Sequence, residues 1–298
     1  MRLIVTGTEG QVARALIERG AQLPGFSVVA IGRPVLNLEN SASILPALAN
    51  VRPDLIVNAA AYTAVDRAEK EQRLAFAINR DGAAEVARAA QILGVRLIHL
   101  STGYVFSGAK EGAYVESDEA EPLGVYGKSK LAGELAVRNA NPEALILRTS
   151  WVYSPFGSNF VKTMLRLAGD NSQVRVVDDQ VGNPTSALEL ANTILSLATL
   201  DHFGRGDLFH VAGSGSTTWF GLANHVFNTS RLMNGPASEV LPIFTSEYST
   251  TARRPANSRL DTSAFRSKFR LKLNDWHAGV EGVVGRILEG RARESYRE

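Results

Sequence analysis

Five short and almost wholly apolar runs, at residues 3–5, 28–31, 55–57, 97–100 and 145–147, are separated by segments of helical spacing such as the Ala-rich stretch 74–93. A strand with no polar face needs cover on both sides, and strands that alternate with helices pair in parallel through crossovers. Residues 1–150 therefore predict an α/β domain with a doubly wound parallel sheet. Residues 151–298 are less regular, with helices expected near 159–167, 188–200, 219–232 and 275–288 and strands at 174–177 and 208–211. That mixture predicts a smaller α/β lobe, with the segment near 178–200 returning to the first domain. No internal repeat and no linker-like tract divides the two.

Composition removes whole classes of function. The chain has 298 residues, 45% hydrophobic and 21% charged, enough to bury a full core. It contains no cysteine, which excludes disulfides, thiolate metal sites and a cysteine nucleophile. A net charge of +2 gives no general attraction to nucleic acid or anionic membrane. No apolar run approaches the ~18 residues of a membrane span, and the opening Met1–Gly7 breaks too early for a secretory leader. A soluble, cytoplasmic chain is expected. His99, His202, His210, His225 and His277 lack ligand spacing, so no metal is expected. The basic stretch Arg253, Arg254, Arg259, Arg266, Lys268, Arg270 and Lys272 has no interleaved aromatics, which argues against nucleic acid.

The first apolar run leads into Gly7-Thr8-Glu9-Gly10-Gln11-Val12-Ala13, a tight turn opening a helix. Gly7 permits a backbone shape closed to other residues, Gly10 lets the chain approach a phosphate, and Ala13 allows close helix–strand packing. Free amides at the helix start suit a pyrophosphate. The pattern predicts dinucleotide binding on a Rossmann-like sheet, with Gly7, Gly10, Gln11 and Val12 at the cofactor. The second run ends in Gly32-Arg33, with no acid to hold an adenosine ribose diol. A guanidinium there suits a 2′-phosphate, so NADPH is expected over NADH.

Tyr126 and Lys130 stand four residues apart, on one face of a predicted helix. A phenol beside an ammonium can give a proton to a developing alkoxide and recover it, and Lys130 can also hold the nicotinamide ribose. Ser101-Thr102-Gly103-Tyr104 closes the fourth run at the carboxyl edge, where ligands bind in such sheets, and Thr102 is placed to bond a substrate carbonyl. Arg254 and Arg259 flank a Pro-Ala-Asn-Ser turn and could fork onto a diphosphate.

Together with the segments 53–66, 125–134, 147–153 and 254–260, these motifs make the chain resemble the dTDP-4-dehydrorhamnose reductase family of extended short-chain dehydrogenases/reductases along nearly its whole length. The resemblance implies NADPH- or NADH-dependent reduction of the C4 ketone of a dTDP-4-keto-6-deoxysugar, dTDP-4-dehydro-6-deoxy-L-mannose, to dTDP-L-rhamnose. It puts Thr102, Tyr126 and Lys130 on the catalytic triad, and Asn58, Ala59, Ala60, Ala61 and Ser101, with Tyr126 and Lys130, against the cofactor. It puts Thr63, Val65, Thr102, Tyr104, Tyr126, Trp151, Asn159, Arg254 and Arg259 at the substrate, and admits a homodimer. Gly103 departs from the family's Asp, which removes a carboxylate from that strand end. The same family also resembles an NADP-binding, non-catalytic partner of S-adenosylmethionine synthetase, and the superfamily includes reductases and epimerases of other nucleotide sugars.

Overall fold

Side chains alternate across a strand, so a run apolar at every position feeds two cores at once. In the computed structural model, which describes residues 1–200 and 206–295 and so leaves His202 outside, β1 (Arg2–Thr6) sends Leu3 and Val5 to one side of the sheet and Ile4 to the other. The chain continues through α1 (Gln11–Gly20), β2 (Ser27–Ile31), α2 (Ile44–Val51), β3 (Leu55–Asn58), α3 (Val65–Ala68) and α4 (Gln72–Phe76). There follow α5 (Ala83–Leu93), β4 (Arg96–Thr102), α6 (Val125–Ala140) and β5 (Leu145–Thr149). The alternation repeats: Leu55, Val57, Ile98, Leu100, Leu145 and Leu147 join Leu3, while Ile56, Leu97 and Ile146 join Ile4. All five strands pair in parallel.

The second half holds β6 (Val152–Tyr153), α7 (Phe160–Asp170), β7 (Gln173–Val177), β8 (Val181–Gly182), β9 (Thr185–Ser186) and α8 (Ala187–Ala198). It ends with β10 (Leu208–His210), β11 (Thr217–Thr218), α9 (Trp219–Leu232), β12 (Glu239–Ile243), α10 (Ser263–Phe269) and α11 (Trp276–Ser295). The six-stranded sheet runs β10-β5-β4-β3-β1-β2. The strand expected at 208–211 within the second lobe thus lies in the central sheet, beside β5, and the return to the first domain extends beyond 178–200. The reason is chemical: β5 would otherwise be an open edge, and Leu208 and Phe209 pack onto it. The second lobe forms its own parallel pair of β7 and β12. Helices α7, α8, α9 and α11 share one continuous core with α1 and the Leu3 side of the sheet, whereas α2 and α5 cover the other side.

The Ala-rich stretch 74–93 is not one α-helix. A π-helical turn, Ala77–Gly82, separates α4 from α5. The extra residue turns Asn79 inward, where its amide donates to the Ser129 hydroxyl on α6 at 2.9 Å and its oxygen accepts from the Tyr62 amide at 2.8 Å. This clamps α6 to the loop that follows β3.

Candidate active site

A cavity of about 790 Å³ opens at the carboxyl edge of the sheet, between β1, β4, α6 and the loops after β2, β3 and β5. Its floor begins with the turn Thr6–Gly10. Gly7 adopts φ of +89°, in the left-handed region, and its amide donates to Ile31 O at 2.7 Å, which sets the tight reversal off β1. A Cβ added at Gly10 would meet no protein atom within 4 Å, so no internal contact demands glycine there; that openness fits a close-lying phosphate. Gly10 caps α1, whose first amides have no intrahelical acceptor. The turn, the exposed Arg33 at the lip and the length of the cavity fit a dinucleotide.

The proton-handling residues meet at the other end of the cavity. Helix α6 lies hard against the end of β4, because a Cβ at Gly127 would overlap Tyr104 O. The Thr102 side chain lies beside the Tyr126 phenol, on which it acts against the effect of burial, and its oxygen accepts from the Tyr104 amide at 3.1 Å. Lys130 Nζ donates to Leu100 O at 2.7 Å. Burial dominates the ionisation of both groups: it pushes Tyr126 up to about 12 and Lys130 down to about 8. The phenol is thus held protonated, ready to donate, and burial rather than the expected pull of Lys130 sets its ionisation.

Trp151 lines the same cavity with φ of +47°, unusual for a bulky residue. Its ring stacks on Trp219 with centroids 3.5 Å apart and planes 7° apart, and Trp219 leans in turn on Phe160. Trp219 and Phe160, which are not on the cavity wall themselves, thus back Trp151 from within the second half of the chain. Trp219 was not singled out from the sequence, since an aromatic at a helix start carries no signal of its distant partner.

The cavity wall includes Gly7, Gly10, Gln11, Val12, Arg33, Ala59, Ala60, Ala61, Thr63, Ser101, Thr102, Tyr126, Lys130, Trp151 and Asn159. It does not include Asn58, Val65, Tyr104, Arg254 or Arg259. Asn58 sits behind the wall, where Thr6 donates to it at 2.8 Å while the same hydroxyl accepts from the Ala59 and Ala60 amides. Its side chain braces the turn rather than facing a cofactor. Arg259 donates through Nε to Asn257 Oδ1 and through Nη2 to the Glu111 carbonyl, so two of its three nitrogens close a protein loop, away from the cavity wall. Arg254 pairs with Asp66 at 2.5 Å and reaches Tyr104, whose ring meets Tyr126 edge-on at 5.9 Å. Val65 opens the short helix α3.

Two expected contacts have other occupations. The Asn159 oxygen caps α7 through the Lys162 amide, and its nitrogen donates to Gln11 Oε1, Ser154 O and Phe156 O. Gln11 also donates to Val152 O and accepts from the Ser154 hydroxyl. These bonds tie the glycine turn of one half to the loop 152–159 of the other. At Gly103 an added Cβ would contact Leu260 and Ser258 O at 3.4 Å, so a side chain there would press on the 258–260 segment. Gly103 itself is not on the cavity wall. Among the described residues no cluster of His, Asp or Glu could hold a metal, and no helix is long and apolar enough to cross a membrane.

Comparison with known proteins gives a consistent result. The family model described as "RmlD substrate binding domain" matches residues 1–288. A dTDP-4-dehydrorhamnose reductase of Sinorhizobium fredii is 46% identical, over 98% of this chain and 99% of that protein. The reductase of the same name from Escherichia coli is 40% identical, over 97% and 98%. A crystal structure of dTDP-4-dehydrorhamnose reductase from Bacillus anthracis in complex with NADP superposes with a TM-score of 0.87 at 36% identity, covering 95% of this chain and 98% of that one.

Proposed function

Since the chain belongs to the RmlD substrate binding domain family, we propose that it is an NADPH-dependent reductase that converts the C4 ketone of dTDP-4-dehydro-6-deoxy-L-mannose to the alcohol of dTDP-L-rhamnose. The observation that carries the proposal is the meeting of Thr102, Tyr126 and Lys130 in the cavity whose far end is the glycine turn. Near-full-length relatives carry the reductase name, and a similar structure was solved with NADP.

Bound NADPH supplies the hydride. The chain's own part is to orient two ligands and to manage charge at one oxygen. The Tyr126 phenol is the general acid toward the C4 oxygen, and Thr102 offers a second hydroxyl beside it. Lys130 presents a cation held by Leu100 O at the floor of the site. Trp151, backed by Trp219, offers an apolar wall suited to the bare face of a deoxysugar. The Gly7–Gly10 turn and the α1 start suit the pyrophosphate, with Arg33 toward the adenosine end.

A cytoplasmic location and assembly as a homodimer belong to the same proposal, and cell fractionation and mass measurement in solution check them. For the activity, purified protein is mixed with NADPH and dTDP-4-keto-6-deoxyhexose, and both the absorbance of NADPH and the sugar product are followed. Stoichiometric oxidation with a C4 alcohol product supports the assignment.

A further inference from the structure

Behind the cavity lies a charge pair that the proton transfer does not use directly. Glu134 stands one helical turn beyond Lys130, as Lys130 stands one turn beyond Tyr126, so α6 presents all three toward β4. Glu134 is 2% exposed and Arg148, on β5, is 5% exposed. Arg148 grips the carboxylate with both arms, Nε at 2.9 Å and Nη2 at 2.7 Å, and its guanidinium lies 5.0 Å over the Phe106 ring. The Ser101 hydroxyl also donates to Glu134. Neighbouring residues of β4 thereby hold successive turns of α6: Leu100 O accepts from Lys130 and the Ser101 hydroxyl donates to Glu134, with Thr102 beside Tyr126.

A buried ion pair is weak evidence for stability, because apolar residues of similar volume would do as well or better. Its retention beside the site calls for another reason. We propose that Glu134, held by Arg148 and Ser101, is a positioning residue that fixes α6 against β4 and supplies the counter-charge keeping Lys130 protonated next to Tyr126. The role of Lys130 in this statement rests on the reductase assignment; the charge relationship itself does not.

The groups facing Lys130 can be named. Tyr126 and Glu134 come from α6, His99 from β4, and Arg148 from β5 behind Glu134. His99 is fully buried, and burial together with the Lys130 charge holds it neutral, well below the ordinary histidine range. Tyr126 is neutral as well. Glu134 is the one anion in the set, and its field raises the proton affinity that burial lowers.

The test reads Lys130 itself, without substrate or turnover, so that failure of the reductase assignment and failure of this proposal stay distinguishable. The protein is labelled at lysine, Lys130 is assigned with Lys130→Met, and its titration is followed by NMR in wild type, Glu134→Gln and Arg148→Met. Charge control predicts opposite shifts: the midpoint falls by about one pH unit or more in Glu134→Gln and rises in Arg148→Met. Mere loosening would admit water and raise both. If Glu134→Gln does not fold, the double variant Glu134→Gln/Arg148→Met, which leaves no unpaired buried charge, decides. It should still titrate below wild type, though by less than Glu134→Gln alone, because Glu134 is the charge acting on Lys130 and Arg148 stands behind it, whereas a loosened site would titrate closer to an ordinary lysine. Unmoved or same-direction midpoints in the single variants, or a clear rise in the double variant, would overturn the proposal.

Discussion

Lys130 Nζ donates to the carbonyl of Leu100 at 2.7 Å, inside a site where burial brings the ammonium down to about 8 and takes Tyr126 up to about 12. The alkaline side of the pH profile should therefore belong to Lys130. Below pH 8 the ammonium is present; as pH rises through about 8 it is lost, and kcat/KM should fall while the Tyr126 phenol stays protonated. The stability sign is opposite. Between about 8 and the ordinary lysine value near 10.5, the unfolded chain binds the proton and the folded one does not, so the Lys130 contribution to stability rises with pH in that window. Paired pH profiles of kcat/KM and of denaturant midpoint, each compared with Lys130→Met, check both directions.

Tyr126→Phe should keep cofactor affinity and lose turnover by ~10²–10⁴-fold, the usual contribution of a positioned general acid. The hydroxyl is the only part of the side chain removed, and the ring contact with Tyr104 is retained. Steady-state kinetics and NADPH titration of the variant separate the two effects, and a kcat near wild type would remove Tyr126 from the proton transfer.

The two arginines of the 254–260 segment should behave differently. Arg259 serves the loop near Glu111, so Arg259→Ala should cost stability, about 1–2 kcal/mol for the lost hydrogen bonds, with KM for the nucleotide sugar nearly unchanged. Arg254 pairs with Asp66, and its charge acts on Tyr104, whose ring meets Tyr126. Arg254→Ala should raise KM for the nucleotide sugar and leave KM for NADPH nearly unaltered. Thermal melts and two-substrate kinetics on both variants read this directly, and a KM effect confined to Arg259→Ala would reverse the assignment.

What the sequence reveals depends on how local each interaction is. The β1 turn and the Tyr126–Lys130 face depend on neighbours within a few residues, and periodicity alone exposes them. Contacts across long separations leave no such trace. The pairing of Trp151 with Trp219, the tie from Gln11 to Asn159 and the capture of Arg259 by Glu111 join segments brought together only by the completed fold. The π turn at Asn79 is equally hidden, since its Ala-rich surroundings read as ordinary helix and the hydrogen bond from Asn79 goes to Ser129 on another helix. Glu134 is intermediate. Its spacing from Lys130 is visible, but the significance of that spacing appears only once Arg148 lies opposite.

Cofactor preference should follow Arg33, exposed at the lip of the cavity with Glu39 also on its wall. A guanidinium there favours a 2′-phosphate by ~1–2 kcal/mol, roughly five- to thirtyfold in kcat/KM for NADPH over NADH, and the advantage should shrink with salt. Arg33→Asp should reverse the order by offering an acceptor to the ribose diol and repelling the phosphate. Kinetics with both cofactors at low and high ionic strength check this.

The most direct test of the central claim is the fate of NADPH when the purified wild-type protein meets dTDP-4-dehydro-6-deoxy-L-mannose. The site geometry predicts one NADPH oxidised per sugar and dTDP-L-rhamnose as the product, with both lost together in Tyr126→Phe. Binding without any NADPH consumption, or isomerised sugar with the cofactor returned unchanged, would contradict it.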